Sequence, residues 1–215
     1  MNKYFCLLGL AATLVVMHWS NMASADARAD CLDAPDPATR VAACEIVLAE
    51  NGLSARNAAT AYYNLGNAHA AIANLEGALE AFNEAVRINP TVRDFFYNRG
   101  DVLARLGQTE AALADLHEAA IIDPEDPRSL NNIGFLYAQS GDLDRAFRMF
   151  TRSIDLDPDY PNPYHNRGKL LRGVGNLDAA MPDLDRAVTL NPNNASYLME
   201  RGMAFGQSGD AARAI

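Results

Sequence analysis

A glycine returns every 34 residues, at Gly66, Gly100, Gly134, Gly168 and Gly202, and it does not return alone. With repeats begun at 59, 93, 127, 161 and 195, these glycines hold position 8. Position 20 is then Ala78, Ala112, Ala146, Ala180 and Ala214, and position 24 is Phe82, Leu116, Phe150 and Leu184. Position 15 is Gly107, Gly141, Gly175 and Gly209; position 32 is Pro90, Pro124, Pro158 and Pro192, each preceded by Asn or Asp. A period of this length means one supersecondary unit stacked on copies of itself. Small residues at 8 and 20 let two helices approach closely, and the large residue at 24 fills the space beside them. Glycine at 15 ends a first helix and proline at 32 stops a second. Each repeat is therefore expected to be a helical hairpin, with helices near positions 2–14 and 15–28. One hairpin cannot bury its apolar face alone, so the hairpins stack.

These marker positions resemble those of the tetratricopeptide repeat (TPR) family, over residues 59–215. The resemblance implies an all-α fold, a right-handed superhelical solenoid of antiparallel helical hairpins. The repeats would be 59–92, 93–126, 127–160, 161–194 and an incomplete 195–215. Ile215 falls inside the second helix of that fifth repeat, and no polar capping element follows, so the chain is expected to be a truncated array. Residues 26–58 fit the same frame as a degenerate N-terminal capping half-repeat. Asp36-Pro37 offers an N-cap and a first-turn proline, VAACEIVLAE an amphipathic helix, and Asn51-Gly52 its end. Pro35 and Pro37 cut the first helix of this copy short. Cys31 and Cys44 then take positions 7 and 20, which face each other across the other hairpins. They are expected to form a disulfide replacing missing helix packing, worth about 3 kcal/mol for a loop of this size; the alternative is two small buried thiols.

The N-terminus supports that pairing. Lys3 is followed by an apolar run over 5–19 and by Ala23-Ser24-Ala25, the layout of a signal peptide over 1–25, with Ala27 the next cleavage candidate. The run is 15 residues, short of the roughly 20 a membrane-spanning helix needs. Cleavage removes Cys6 and leaves an even pair of cysteines in an exported, periplasmic or secreted chain, where disulfides persist. No later segment could span a membrane. The formal net charge of −9, one unit more negative without Lys3, argues against nucleic acid and anionic lipid as partners.

A second pattern runs inside the first. Position 7 is Leu65, Arg99, Ile133, Arg167, and position 23 is Ala81, Asp115, Met149, Asp183. Where 7 is arginine, 23 is aspartate. Ion pairs Arg99–Asp115 and Arg167–Asp183 are expected, because a semi-buried arginine needs a partner. By the same rule Arg201 calls for an acid two places beyond Ile215.

Chemistry has little to stand on. His18 lies in the leader, His69 at a packing position and His117 on a helix beside Glu118; His165 alone could face a groove. None is set against a Ser or Cys nucleophile, and the two mature cysteines lack His or Asp at zinc-ligand spacing. The fragment GVG over 173–175 ends a helix and follows no strand, so it is not a phosphate loop. No enzyme, cofactor or metal is expected.

What remains is a surface. In arrays of the kind resembled, first helices line the concave side through positions 2, 5, 6, 9, 12 and 13. The candidate peptide-binding residues are Tyr63, Asn64, Asn67, Tyr97, Asn98, Arg128, Asn131, Asn132, Phe135, His165, Asn166 and Lys169, aromatic and amide-rich first, then basic toward Arg172. A carboxylate clamp, as some TPR proteins carry, is only half present: Asn67, Asn98 and Arg128 match, while Tyr63 and Asn132 stand where bases belong. Position 6 is Asn64, Asn98, Asn132 and Asn166, broken by Glu200. An amide donates and accepts, so such a ladder could grip a peptide backbone; equally, it could bond a neighbouring helix. The expected function is a non-catalytic protein–protein interaction module of the bacterial cell envelope, holding an extended segment of a partner protein. The alternative is a self-associating scaffold, or the non-catalytic part of a longer envelope protein.

Overall fold

The computed structural model describes residues 26–209; the expected signal peptide over 1–25 and the chain end lie outside the described residues. All regular secondary structure among the described residues is helical. The helices fall into two compact units, one ending at Leu106 and one beginning at Gly107.

The first unit holds α1 (26–33), α2 (Pro37–Leu48), α3 (Ala55–Ala71), α4 (Leu75–Ile88) and α5 (Arg93–Arg105). α1 stops just before Pro35, and Pro37 opens α2 behind Asp36, whose carboxylate accepts from the Thr39 backbone N–H at 2.8 Å and hydroxyl at 2.7 Å. Cys31 and Cys44 are joined in a buried disulfide that ties α1 to α2. Around it Ala27, Ala43 and Val47 pack on Ala61, Leu65 and Ala81 of the following hairpin.

That hairpin shows why position 8 is glycine. A Cβ on Gly66 of α3 would lie 2.6 Å from the Phe82 ring of α4, and Ala78 and Phe82 are both fully buried. Val102 of α5 closes over the same two residues, and Phe95 packs on Ala59 and Ala85.

The second unit repeats the device through α6 (Thr109–Ile122), α7 (Pro127–Gln139), α8 (Leu143–Leu156), α9 (Pro161–Gly173), α10 (Leu177–Leu190) and α11 (Ala195–Gln207). Gly134 of α7 faces Phe150 of α8, and Gly168 of α9 faces Leu184 of α10.

The second helices begin at position 17, at Leu75, Thr109, Leu143 and Leu177, two residues later than the sequence reading placed them. Two residues are spent on the corner. Position 15 turns in the left-handed region, with φ from 75° to 81° at Gly107, Gly141, Gly175 and Gly209. Ala73 takes the same corner at φ 60°, at the steric cost of a Cβ there. Position 16 is the N-cap: Asn74, Asp142 and Asn176 accept from the backbone N–H three residues on. The helices end at position 30, and their C-caps at position 31, Asn89, Asp123, Asp157 and Asn191, leave the helical region with ψ from 83° to 96° before each proline.

Arg167 and Asp183 meet as expected, Nε to Oδ2 at 2.7 Å and a terminal nitrogen to Oδ1 at 2.8 Å. The other terminal nitrogen donates to Thr151 Oγ1 at 2.9 Å, and the guanidinium lies over the Phe147 ring. The hydrogen bond that Arg167 donates to Asp183 raises the Arg167 pKa further, so the guanidinium stays charged. Arg99 and Asp115 belong to different units, and their pairing stays an expectation. Within its own unit Arg99 donates to Asn83 Oδ1 at 3.0 Å and lies over Phe96. Arg201 has Asp185 at 3.6 Å.

Candidate functional site

The position-6 amides are half-buried, and two of them bond to the preceding first helix. In the first unit Asn98 donates through Nδ2 to Asn67 Oδ1 at 2.7 Å and to the Tyr63 hydroxyl at 3.2 Å. The Tyr63 ring packs against Phe95 and Phe82, so the hydroxyl is a fixed acceptor. In the second unit Asn166 donates to Asn131 Oδ1 at 2.9 Å, and Asn131, which is 4% exposed, donates to Asn132 Oδ1 at 3.1 Å. These bonds link adjacent first helices. A groove-facing ladder would use the same atoms, so part of each amide's capacity is already taken.

The other candidates separate into those brought together and those not. Asn64 faces a cavity of about 250 Å³ beside Cys31, Leu32, Val47 and Leu53, away from Asn98. Tyr97 carries the Arg93 guanidinium over its ring, 4.6 Å from the centroid. Arg128 turns to its own N-cap, with Nε 2.7 Å from Asp126 Oδ1. Phe135, Asn166 and Lys169, in contrast, line one open cavity of about 380 Å³ between α7 and α9, with Leu143 and Phe150 of α8 beneath. Leu170 and Val174 complete its wall. Sequence reasoning missed these two and Leu143. They occupy positions 10, 14 and 17, which the inward-facing set leaves out; an apolar residue at the hairpin end, as Val174 is, was the available signal.

His165 does not reach that cavity wall. It stacks on Tyr197 of α11 with ring centroids 4.8 Å apart, and its Nδ1 is buried without a hydrogen bond among the described residues. Glu200, the residue that breaks the asparagine series, is buried and ion-paired to Arg172. Arg172 is thus neutralised rather than a groove cation.

Burial lowers the His165 pKa below 6.5, Lys169 adds to the shift, and Glu200 opposes it. A histidine that binds its proton less readily when folded contributes stability above its unfolded pKa and loses it as pH falls. Chain stability should therefore decline from about pH 7.5 to 5.5, and His165→Gln should flatten that decline. Urea unfolding across the range checks this; an unchanged slope in the variant would assign the dependence elsewhere.

Among the described residues no helix is long and apolar enough to cross a membrane, and no group of three or more His, Cys, Asp or Glu could hold a metal ion.

Comparison with known proteins agrees with the repeat geometry. Tetratricopeptide repeat profiles match residues 59–92, 100–141, 127–160 and 165–215. No curated protein sequence matches the chain. Among solved structures, pilF of Pseudomonas aeruginosa is similar over 91% of this chain and 88% of its own, at 18% identity and TM-score 0.73. MamA (41 to end) from Desulfovibrio magneticus RS-1 is similar over 82% and 97%, at 18% identity and TM-score 0.69. YrrB, described as a TPR protein with an unusual peptide-binding site, is similar over 80% and 86%, at 26% identity and TM-score 0.62. With the hairpins and corner glycines on one 34-residue period and four profile matches over it, two of them (59–92 and 127–160) on the repeat bounds themselves, the chain belongs to the tetratricopeptide repeat family, whose helical arrays mediate protein–protein interaction.

Proposed function

We propose that this protein is an exported, non-catalytic interaction module that holds an extended segment of a partner protein along its first helices. The observation that carries the reading is the open cavity between α7 and α9, where Phe135, Asn166 and Lys169 converge. A concave, mostly apolar site with a few polar groups is the form in which proteins take up a ligand segment. Tyr63, Asn64, Asn67, Tyr97 and Asn98 offer further contact area in the first unit, and Arg128, Asn131, Asn132 and His165 in the second. The Cys31–Cys44 disulfide and the leader-like residues 1–25 support an oxidising, extracytoplasmic location. YrrB is a relative of similar fold described by its peptide-binding site, which favours a peptide over a small molecule.

Selection from a random peptide library on the immobilised protein, followed by anisotropy titration of the enriched peptides, tests the reading. Saturable binding with a mass that does not change with protein concentration is expected. Failure to enrich any sequence, with mass rising with concentration in sedimentation, would instead identify a self-associating scaffold.

A further inference from the structure

Exposed apolar side chains converge at one place in the second unit. Phe135 is 42% exposed, Leu143 38% and Val174 55%, and all three line the cavity between α7, α8 and α9. Its volume of about 380 Å³ is at the small end of ligand sites. That suits one bulky side chain with its flanking backbone rather than a large cofactor.

The charge at the rim is specific. Lys169 is one of two lysines in the sequence and lies on the cavity wall. Four arginines of the same unit, in contrast, are matched: Arg167 by Asp183, Arg172 by Glu200, Arg128 by Asp126 and Arg145 by Asp142. Lys169 is exposed and has no ion-pair partner among the described residues. In a chain of net charge −9, an unmatched cation beside an apolar cavity is the complement of a ligand carboxylate.

Asn166 discriminates between kinds of ligand. It gives one Nδ2 hydrogen to Asn131, which leaves its Oδ1 and a second N–H to offer at the wall. A peptide backbone both donates and accepts and can engage both groups, whereas a fatty carboxylate can only accept and leaves Oδ1 unanswered.

We infer that this cavity is a selectivity pocket for a peptide segment in which a bulky apolar residue stands directly beside an acidic one. The apolar side chain enters between Phe135, Leu170 and Val174, the acid meets Lys169 Nζ, and a backbone N–H of the segment donates to Asn166 Oδ1. The inference rests on the peptide-binding reading and adds to it the sequence chemistry that is read.

Four labelled Gly/Ser nonapeptides provide the probes, with a central Leu-Asp, Leu-Lys, Ala-Asp or Leu-Ser. Each is titrated into the nitrogen-15-labelled protein and followed by two-dimensional NMR, which detects weak binding and locates it. Leu-Asp should shift the amides of Leu170, Gly173 and Val174 and bind best of the four. Lys169→Glu, at an exposed position, should reverse the order of Leu-Asp and Leu-Lys. Phe135→Ala should weaken Leu-Asp about tenfold, as loss of an anchor does. Shifts confined to α3 and α5 would overturn the pocket while leaving peptide binding standing. So would binding at this cavity with Leu-Asp and Leu-Lys equal in the native protein. If no probe and no library-selected peptide shifts any amide, both readings fall. If the same amides shift with protein concentration alone, the cavity belongs to a second copy of the chain and the inference is wrong.

Discussion

Asp183→Met should destabilise the protein by about 3–5 kcal/mol, and adding Arg167→Ile should restore most of that loss. The carboxylate removed is 9% exposed and the arginine left behind 18%, so the guanidinium would lose its ion-pair partner and keep as direct contacts the Thr151 hydroxyl and the Phe147 ring. An uncompensated charge at that depth costs more than the pair itself contributes, because water cannot reach it freely. The restoring residues come from the chain itself. At the same two positions the repeat over 127–160 carries Ile133 and Met149, and Ile133 is fully buried. An apolar pair therefore already fits this hairpin geometry. The double variant should lie within about 1 kcal/mol of the native protein, since well-packed apolar replacements of buried ion pairs are often neutral or better. Urea unfolding of the four proteins of the cycle measures it. If the double variant is as unstable as Asp183→Met, shape rather than charge pairing governs the site.

This pair was legible because the chain contains its own control. Repeats with Arg at position 7 have Asp at 23, and repeats without it have neither, so one sequence supplied the correlation. The hairpins were legible for a similar reason: Gly66, Ala78 and Phe82 fit only if two helices touch there, and the same triad returns in register. The corner was less so. That a second helix starts at Leu143 rather than Gly141 depends on spending one residue on a left-handed turn and one on the Asp142 cap. Ala73 shows that the corner forms even without glycine.

The site was harder to read, and the physical causes differ residue by residue. An asparagine advertises a donor and an acceptor but not their partner. Asn98 and Asn166 find theirs on the preceding first helix, at a distance set by helix spacing rather than by anything local. Arg172 looked like a groove cation until Glu200, 28 residues away, proved to lie beneath it. The cavity was least visible. Its walls combine positions 6 and 9 of first helices, which the sequence placed in the groove, with positions 10 and 14 and with position 17 of a second helix, which read as ordinary packing.

Phe150→Ala should cost about 3–5 kcal/mol, and here the packing core and the proposed binding pocket share the same atoms. Phe150 is 1% exposed, its ring lies where a Cβ on Gly134 would come within 2.7 Å, and it also floors the cavity between α7 and α9. Truncation removes the ring from both sides at once. The cost combines lost transfer energy with a void that the hairpin cannot close, because Gly134 has no side chain to move into it. Gly134→Ala alone should also destabilise, by about 1–3 kcal/mol, since its methyl group would meet the ring and approach the Ala146 carbonyl at 3.2 Å. Combined, the two changes should cost clearly less than their sum, the methyl group now entering the space the ring has left. A double variant that is additive in urea unfolding would mean the two residues do not share that space. The same proteins bear on binding. Phe150→Ala deepens the cavity without altering Phe135 or Lys169 at its rim, so a peptide with a larger apolar residue, Trp in place of Leu, should gain relative affinity. On the proposed reading the rim would still demand the neighbouring acid, because the floor would set the size of the side chain admitted and Lys169 the charge beside it.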